Sequence, residues 1–457
     1  MIKFLWINAI DSASEVETRY PHLGIGYLVA SLKRSFGDDA FLFQVVSSDI
    51  ETALDKFQPD IVGISAVSQN YGRAILYAAE ARRREIPVLV GGVHISFLPE
   101  TLSPDMTVGC MGESEETIIE LMRIYRETQC FEPKKLASVA GIIYHAEDGS
   151  LVTTKSRPPK MDLDSLAIPD RSLFKESSHT YLFTSRGCPY RCSFCASSRF
   201  WDTVRFFSAE RVIHEIEELM KNSGVTFISF FDDLFVADKK RFHRIVELLE
   251  QKKIIGKVKF SCSLRTNTIT EDVVAGLKRM GIVSVGMGLE SGNQRVLTWL
   301  KGAGITVEHN RRAVTLLRAN GIMANASFVI GTPDETKKEI LDTLHFIKSV
   351  GLGLFDVYVL TPFPGTPVWE SAKSRGLVSE GPEMDWSRLN VNFEVSPDKA
   401  IILSEVLSRD EIVELYEKFR RYRFLHNVAT IWRHPMLTDL PRYAFKLLRE
   451  KILRAIR

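Results

Sequence analysis

Tyr181-Leu-Phe-Thr-Ser-Arg-Gly-Cys188-Pro-Tyr-Arg-Cys192-Ser-Phe-Cys195 is the stretch on which the reading of this chain turns. Tyr181 to Ser185 reads as a short buried strand, and a loop bearing three cysteines leaves its C-terminal end. Three of the six cysteines therefore fall within eight residues; the others, Cys110, Cys130 and Cys262, are scattered. A disulfide framework is not expected in a 457-residue chain whose N-terminus reads as a strand and not as an export signal. Three clustered thiolates are soft ligands that suit an iron–sulfur cubane, with one iron left open to a small molecule. The alternative is a structural zinc site. That would take four ligands in paired spacings, and no fourth Cys or close His completes such a set.

Strand and helix patterns alternate on both sides of this stretch. Downstream of Tyr181–Ser185, strands are predicted at 227–231, 258–262, 283–288, 326–330 and 356–360, with helical periodicity between them, including 209–221, 239–251 and 335–350. Six such repeats predict a partial (β/α)6 barrel with functional groups at the C-terminal strand ends. Upstream, strands at 4–7, 41–46, 61–66, 88–90 and 106–110 alternate with helices at 24–34, 50–56, 71–84 and 115–126. That rhythm predicts a Rossmann-like, doubly wound parallel sheet over residues 1–130. Residues 131–180 break it with a hairpin around Asp148-Gly149 and a Pro-rich linker, so we place a boundary there, with the barrel over 181–370. The remaining segment, 371–457, ends in a basic helical stretch with 11 Lys or Arg against Asp439 and Glu450 from Lys418 onward. Phe419, Tyr422, Phe424, Trp432, Tyr443 and Phe445 interleave it. It is either a helical cap with its aromatics packed inward or a peripheral membrane contact. Overall composition is that of a soluble globular protein (45% hydrophobic, 25% charged). The net charge of +2 gives no reason to expect a nucleic-acid partner, and no apolar run is long enough to span a bilayer.

The C-x3-C-x2-C spacing, with Phe194 before the last Cys, resembles the radical S-adenosylmethionine superfamily. The resemblance covers about Tyr181 to Pro367 and implies a 4Fe–4S cluster on Cys188, Cys192 and Cys195. It implies that the open iron chelates S-adenosylmethionine, whose reductive cleavage yields a 5′-deoxyadenosyl radical, and that a reducing partner such as flavodoxin or ferredoxin supplies the electron. Asp232-Asp233 ends the second strand where the family binds the methionine ammonium, acids standing here in place of the usual Gly-Gly-Glu; an N-cap at Asp233 or Asp238 is the plainer reading. Ser263 and Arg265 end the third strand, and Arg265 suits a carboxylate or, alternatively, a surface ion pair. Glu290 ends the fourth strand near the family's ribose and methionine contacts, and Ile330-Gly331 the fifth, on the adenine side, unless Gly331 serves only as a turn.

The Rossmann-like segment ahead of such a barrel resembles the cobalamin-binding subfamily, which includes methyltransferases and an anaerobic oxidative cyclase. The matching positions are Leu23 and Gly24 at the first helix, Ser65 and Ser68 after the third strand, Gly91, Gly92, Val93 and His94 after the fourth, and Gly112 and Glu113 before the last helix. The Asp-x-His-x-x-Gly motif that supplies a lower cobalt ligand is absent. His94 is either a corrinoid contact or a local hydrogen-bonding residue. The resemblance implies an enzyme that transfers methyl groups to an unactivated carbon of a small molecule, lipid or tetrapyrrole, and the clustered cysteines without an export signal point to a reducing cytoplasm. The alternatives are a cobalamin-independent radical rearrangement or, more remotely, a non-enzymatic iron–sulfur protein, although carriers use four thiolates per cluster.

Overall fold

The structure, a computed structural model, describes residues 1–11, 21–175, 177–391, 393–394 and 397–430. The basic tail beyond Thr430, with Trp432, Tyr443 and Phe445, lies outside the described residues.

The first sheet is built from β1 (Ile2–Ala9), β2 (Phe41–Val46), β3 (Ile61–Ala66), β4 (Val88–Gly91), β5 (Val108–Cys110), β6 (Ile142–His145) and β7 (Leu151–Thr153), in the order β2-β1-β3-β4-β5-β6-β7. β2 to β5 and β1 run parallel, while the predicted hairpin, β6–β7, adds two antiparallel strands at the edge beside β5. Helices α1 (Leu23–Phe36), α2 (Ile50–Phe57), α3 (Tyr71–Arg82) and α4 (Val93–Phe97) connect the parallel strands, and α5 (Glu115–Thr128) leads from β5 to the hairpin. β1 reads Ile-Lys-Phe-Leu-Trp-Ile-Asn-Ala with its last six residues all buried, as expected of a strand covered on both faces. Phe4, Trp6, Ile25, Val29, Leu32 and Ile118 join one apolar core between sheet and helices.

The second set of strands is β8 (His179–Leu182), β11 (Phe227–Phe230), β12 (Lys259–Leu264), β13 (Ile282–Glu290), β14 (Met323–Ile330) and β15 (Phe355–Val359), ordered β15-β14-β13-β12-β11-β8, with edges left open as in a partial barrel. The predicted first barrel strand divides in two: β8 ends at Leu182, and Ser185–Arg186 forms a separate short strand, β9, paired antiparallel with β10 (Arg205–Phe206). This ladder brackets the cysteine loop. β13 runs to Glu290, beyond the predicted Gly288, through a register shift against β14.

The chain packs as two compact units. One holds residues 1–254 and 360–403, the other 255–359 and 404–457. The first contains the seven-stranded sheet, β8 to β11, α6 (Ala209–Ser223), α7 (Lys239–Gln251) and α8 (Pro367–Ser374). In the second, β12 to β15 are parallel neighbours. There the described part of the C-terminal stretch is a helix, Arg409–Thr430, that packs on β15: Tyr422 lies 5.9 Å from Phe355 between ring centroids, and Arg423 pairs with Asp356 at 3.0 Å. Phe419 is fully buried, whereas Phe424 is exposed.

Candidate functional site

The C-terminal ends of β1, β3, β4 and β5 open onto a cavity of about 320 Å³. Gly24, Ser65, Gly91, Gly92, Gly112 and Glu113, six of the positions expected to face a corrinoid, line it. Gly92 sits at φ +106°, and a methyl group there would run into the carbonyl of Ala66, so only glycine fits the turn. At Gly24 a Cβ would lie 2.9 Å from the imidazole of His22, so its absence leaves room for that ring. The Ile25 N–H donates to His22 Nδ1 at 3.2 Å, which places the proton on Nε2, 3.0 Å from Ser65 Oγ. Burial lowers the His22 pKa and keeps the ring neutral. A second, neutral cavity of about 440 Å³ shares His22 and Ser65 and adds Ser68, Val93, Tyr181 and Phe231.

Leu23 and His94 line neither cavity. Leu23 is packed in the core. His94 is wholly buried, stacked on Tyr71 at 3.7 Å between centroids, with Nδ1 3.1 Å from Ser68 Oγ and Nε2 3.0 Å from Thr101 Oγ1. Of the two readings of His94, the local hydrogen-bonding one fits this geometry: both ring nitrogens have partners within the fold.

The first cavity is also walled by Ser185, Arg186, Gly187 and Asp233, which flank or face the cysteine loop within the same unit. Glu113 holds this wall. Its carboxylate accepts from Arg186 at 2.6 Å, from Arg205 at 2.8 and 2.9 Å and from the Lys160 N–H at 2.9 Å, while Arg186 also pairs with Glu115 at 2.6 Å. Arg186 and Arg205 both lie over the Trp201 ring, at 5.6 and 5.5 Å. Glu113 was expected as a corrinoid contact; its chief partners are these two guanidinium groups.

Cys188, Cys192 and Cys195 are thiols outside any disulfide, each half-buried. Burial pushes the Cys188 and Cys195 thiols up; Cys188 also feels Cys195 and Cys192, and Cys195 feels Cys192, so the three are electrostatic neighbours. Among the described residues no three Cys, His, Asp or Glu side chains converge as on a single ion. Three thiolates bound at separate corners of a cubane need no such convergence, and the donor set fits that cluster. Phe194 is half-buried between the last two cysteines. Asp233 accepts from Ser197 Oγ at 2.6 Å and faces the first cavity; it caps no helix, that role falling to Asp238 on α7. Asp232 departs from its expected ligand role. It is buried, takes the Thr184 and Ser185 N–H groups at 2.6 and 3.1 Å together with the Thr184 hydroxyl, and so fixes the turn into the loop.

In the second unit the expected S-adenosylmethionine contacts sit at strand ends. Ser263 on β12 is exposed, and Arg265 just beyond donates to the Lys301 carbonyl at 3.0 Å. Glu290, at φ +59°, pairs with Lys301 Nζ at 3.3 Å, and Nζ also donates to the Gly288 carbonyl at 2.5 Å. Ile330 is buried at the end of β14. Gly331, at φ +84°, and Thr332 donate their N–H groups to Glu335 Oε2 at 2.8 and 3.1 Å. Burial raises the Glu335 pKa to about 7.

Trp6, His22, Tyr27, Arg186 and Lys301 emerge only from the structure. Trp6 and Tyr27 read in sequence as strand and helix core. The one available signal was Pro21-His22 at the helix entrance.

Residues 182–347 match the family model of the Radical SAM superfamily, and residues 12–122 that of the B12 binding domain. Site and fold together define a class: enzymes that pair a reductively cleaved S-adenosylmethionine with a corrinoid. The chain belongs to the cobalamin-binding radical S-adenosylmethionine enzymes, whose cofactors are a 4Fe–4S cluster, S-adenosylmethionine and cobalamin. It is 33% identical over 390 residues, 82% of each chain, to an uncharacterized methyltransferase of Pyrococcus horikoshii. It is 26% identical, over 92% of this chain and 77% of the relative, to the anaerobic magnesium-protoporphyrin IX monomethyl ester cyclase of Rubrivivax gelatinosus. Its fold resembles that of TsrM, a radical S-adenosylmethionine methyltransferase of Kitasatospora setae (TM-score 0.67, 19% identity, 84% of this chain and 78% of that one).

Proposed function

We propose that this enzyme transfers methyl groups to an unactivated carbon of a small molecule, with a lipid or tetrapyrrole as candidate substrates. The observation that carries the reading is the shared cavity: the strand ends that suit a corrinoid and the residues flanking the cysteine loop line one space within one unit. When bound, the cluster supplies the electron that cleaves S-adenosylmethionine, and the corrinoid supplies a methyl group. The protein's own part is to position and to exclude water. Cys188, Cys192 and Cys195 hold the cluster. Asp232 fixes the approach to their loop, and Asp233, Phe194, Ser263, Arg265, Glu290, Ile330 and Gly331 are assigned to S-adenosylmethionine. Gly24, Ser65, Ser68, Gly91, Gly92, Val93 and Gly112 are assigned to the corrinoid. The functional division follows: 1–130 for the corrinoid, 131–180 as linker, 181–370 for the radical chemistry and 371–457 as a C-terminal region. A flavodoxin or ferredoxin is the proposed reductant and the cytoplasm the proposed compartment, with peripheral membrane contact through the basic tail and no nucleic-acid partner. Among the described residues no helix is long and apolar enough to cross a membrane.

The test is anaerobic reconstitution with iron, sulfide and hydroxocobalamin, followed by assay of label transfer from methyl-labelled S-adenosylmethionine. Retention of about four irons and about one cobalt per chain, with labelled product, supports the reading. The cyclase relative favours a second reading, radical oxidation or cyclisation without methyl transfer. It predicts 5′-deoxyadenosine and an unlabelled product.

A further inference from the structure

Within the second unit a lysine is buried against the end of a strand. Lys301 closes the helix Gln294–Lys301, and its side chain is 7% exposed. Its ammonium donates to the Gly288 carbonyl at 2.5 Å and pairs with Glu290 Oε1 at 3.3 Å. Lysine is seldom buried so far, and a buried ion pair adds little stability over apolar groups of the same size. The pair therefore calls for a reason other than stability.

The strand it meets is irregular at this point. Gly288 of β13 pairs with Ser327 of β14, and Glu290 with the next residue, Phe328, so Leu289 is an extra residue in a bulge. Glu290 sits there at φ +59°. Among the described residues, the other non-glycine positions with positive φ are Asp49, Gln58, Glu85, Gln129 and Lys253. All five lie within three residues of a helix end, and Glu290 is the one inside a strand. A long side chain in this region is strained, and the conformation persists only where its surroundings fix it. They do so here: Asn310 Nδ2 and the Ser291 N–H both donate to the Leu289 carbonyl, at 3.0 and 2.8 Å. Bulges beside a site re-aim a side chain. The Glu290 carboxylate folds back over Gly288, where a Cβ would collide with Oε1. Strained backbone, absent side chain and buried ammonium thus all serve the placement of one carboxylate at the C-terminal end of a barrel strand, where ligands bind.

Resting on the assignment of Glu290 to S-adenosylmethionine, we propose that Lys301 is the positioning residue for that contact. It engages Oε1 and so turns Oε2 toward a hydroxyl or ammonium hydrogen of the bound molecule. Gly288 makes room for the arrangement, and Lys301 acts on the ligand through Glu290.

The experiment is equilibrium dialysis of S-adenosylmethionine against the cluster-loaded full chain, kept anaerobic and without reductant so that the sulfonium stays intact. Lys301→Met should weaken binding about ten- to a hundredfold, the range for a hydrogen-bonded charge deprived of its partner, and Glu290→Gln by a similar factor. The double variant should bind no more weakly than Glu290→Gln alone, because both changes remove one contact. Gly288→Ala keeps both charges and displaces the carboxylate, so affinity should fall with iron content unchanged; it decides the matter if Lys301→Met fails to fold. Unchanged affinity in Lys301→Met or in Gly288→Ala, or losses that simply multiply in the double variant, overturns the inference and leaves Glu290 assigned to S-adenosylmethionine. Unchanged affinity in Glu290→Gln overturns that assignment as well.

Discussion

His94 illustrates how a residue-level environment becomes a measurable pH dependence. Burial against Tyr71 and Trp386 depresses its pKa to about 3, against an ordinary value of 6.5. Below pH 6.5 the unfolded chain takes up a proton that the folded chain refuses, so stability is complete above 6.5 and declines as the pH falls toward the folded value. The expected slope is up to about 1.4 kcal/mol per pH unit from this residue. Urea midpoints measured at pH 7 and pH 5 should show the loss, and His94→Gln should flatten it. Glu335 acts in the opposite sense. Its folded pKa of about 7 lies above the ordinary 4.5, so the folded state holds the extra proton, and its contribution is lost as the pH rises from 4.5 through 7. Glu335→Gln, neutral and still able to accept from Gly331 and Thr332, should remove that loss, whereas Glu335→Ala should lower the urea midpoint at every pH. Neither environment could be read from sequence. His94 was visible as a histidine at a strand end, but its partners Ser68, Thr101 and Trp386 are brought to it only by folding.

At the scale of elements, the β9–β10 ladder is the piece that sequence periodicity missed. Two residues per strand are too few to show an alternation, and what stabilises the ladder is an ion-pair hub rather than an apolar stripe. The long alternating runs were legible because their helices and strands bury continuous apolar faces. The split of Tyr181–Ser185 was not, since it arises from the grip of Asp232 on Thr184 and Ser185. Replacing Glu113 by Gln leaves two guanidinium groups, about a tenth exposed or less, without their shared countercharge. A loss on the order of 3–5 kcal/mol is expected, read as a lowered denaturant midpoint. Because this ladder brackets the cysteines, iron per chain after reconstitution should fall with it. Arg244→Ala, which breaks only exposed pairs, should change the midpoint by less than about 1 kcal/mol and leave the iron content unaltered.

For the whole molecule, the cysteine spacing and the two alternating blocks were enough to indicate a Rossmann-like sheet followed by a partial barrel, because both patterns are local. The candidate site was legible where it depends on glycines at strand ends. It was hidden where aromatic donors such as Trp6 look like ordinary core. Binding of cobalamin at a hundred times its dissociation constant should stabilise the unit that holds the cavity by about 2.7 kcal/mol. Amide exchange should slow at the C-terminal ends of β1, β3 and β4; protection confined to β12–β15 would place the ligand elsewhere. Residues 360–403 belong to this same unit, with Trp386 seated 4.5 Å from the His94 ring and Gly365 against Phe97. During synthesis the sheet of the first 150 residues therefore leaves the ribosome long before the segment that closes over it. The nascent chain must carry an unfinished N-terminal core through the making of some 250 further residues, which makes that core the natural client of a chaperone and the place where truncated products would first aggregate.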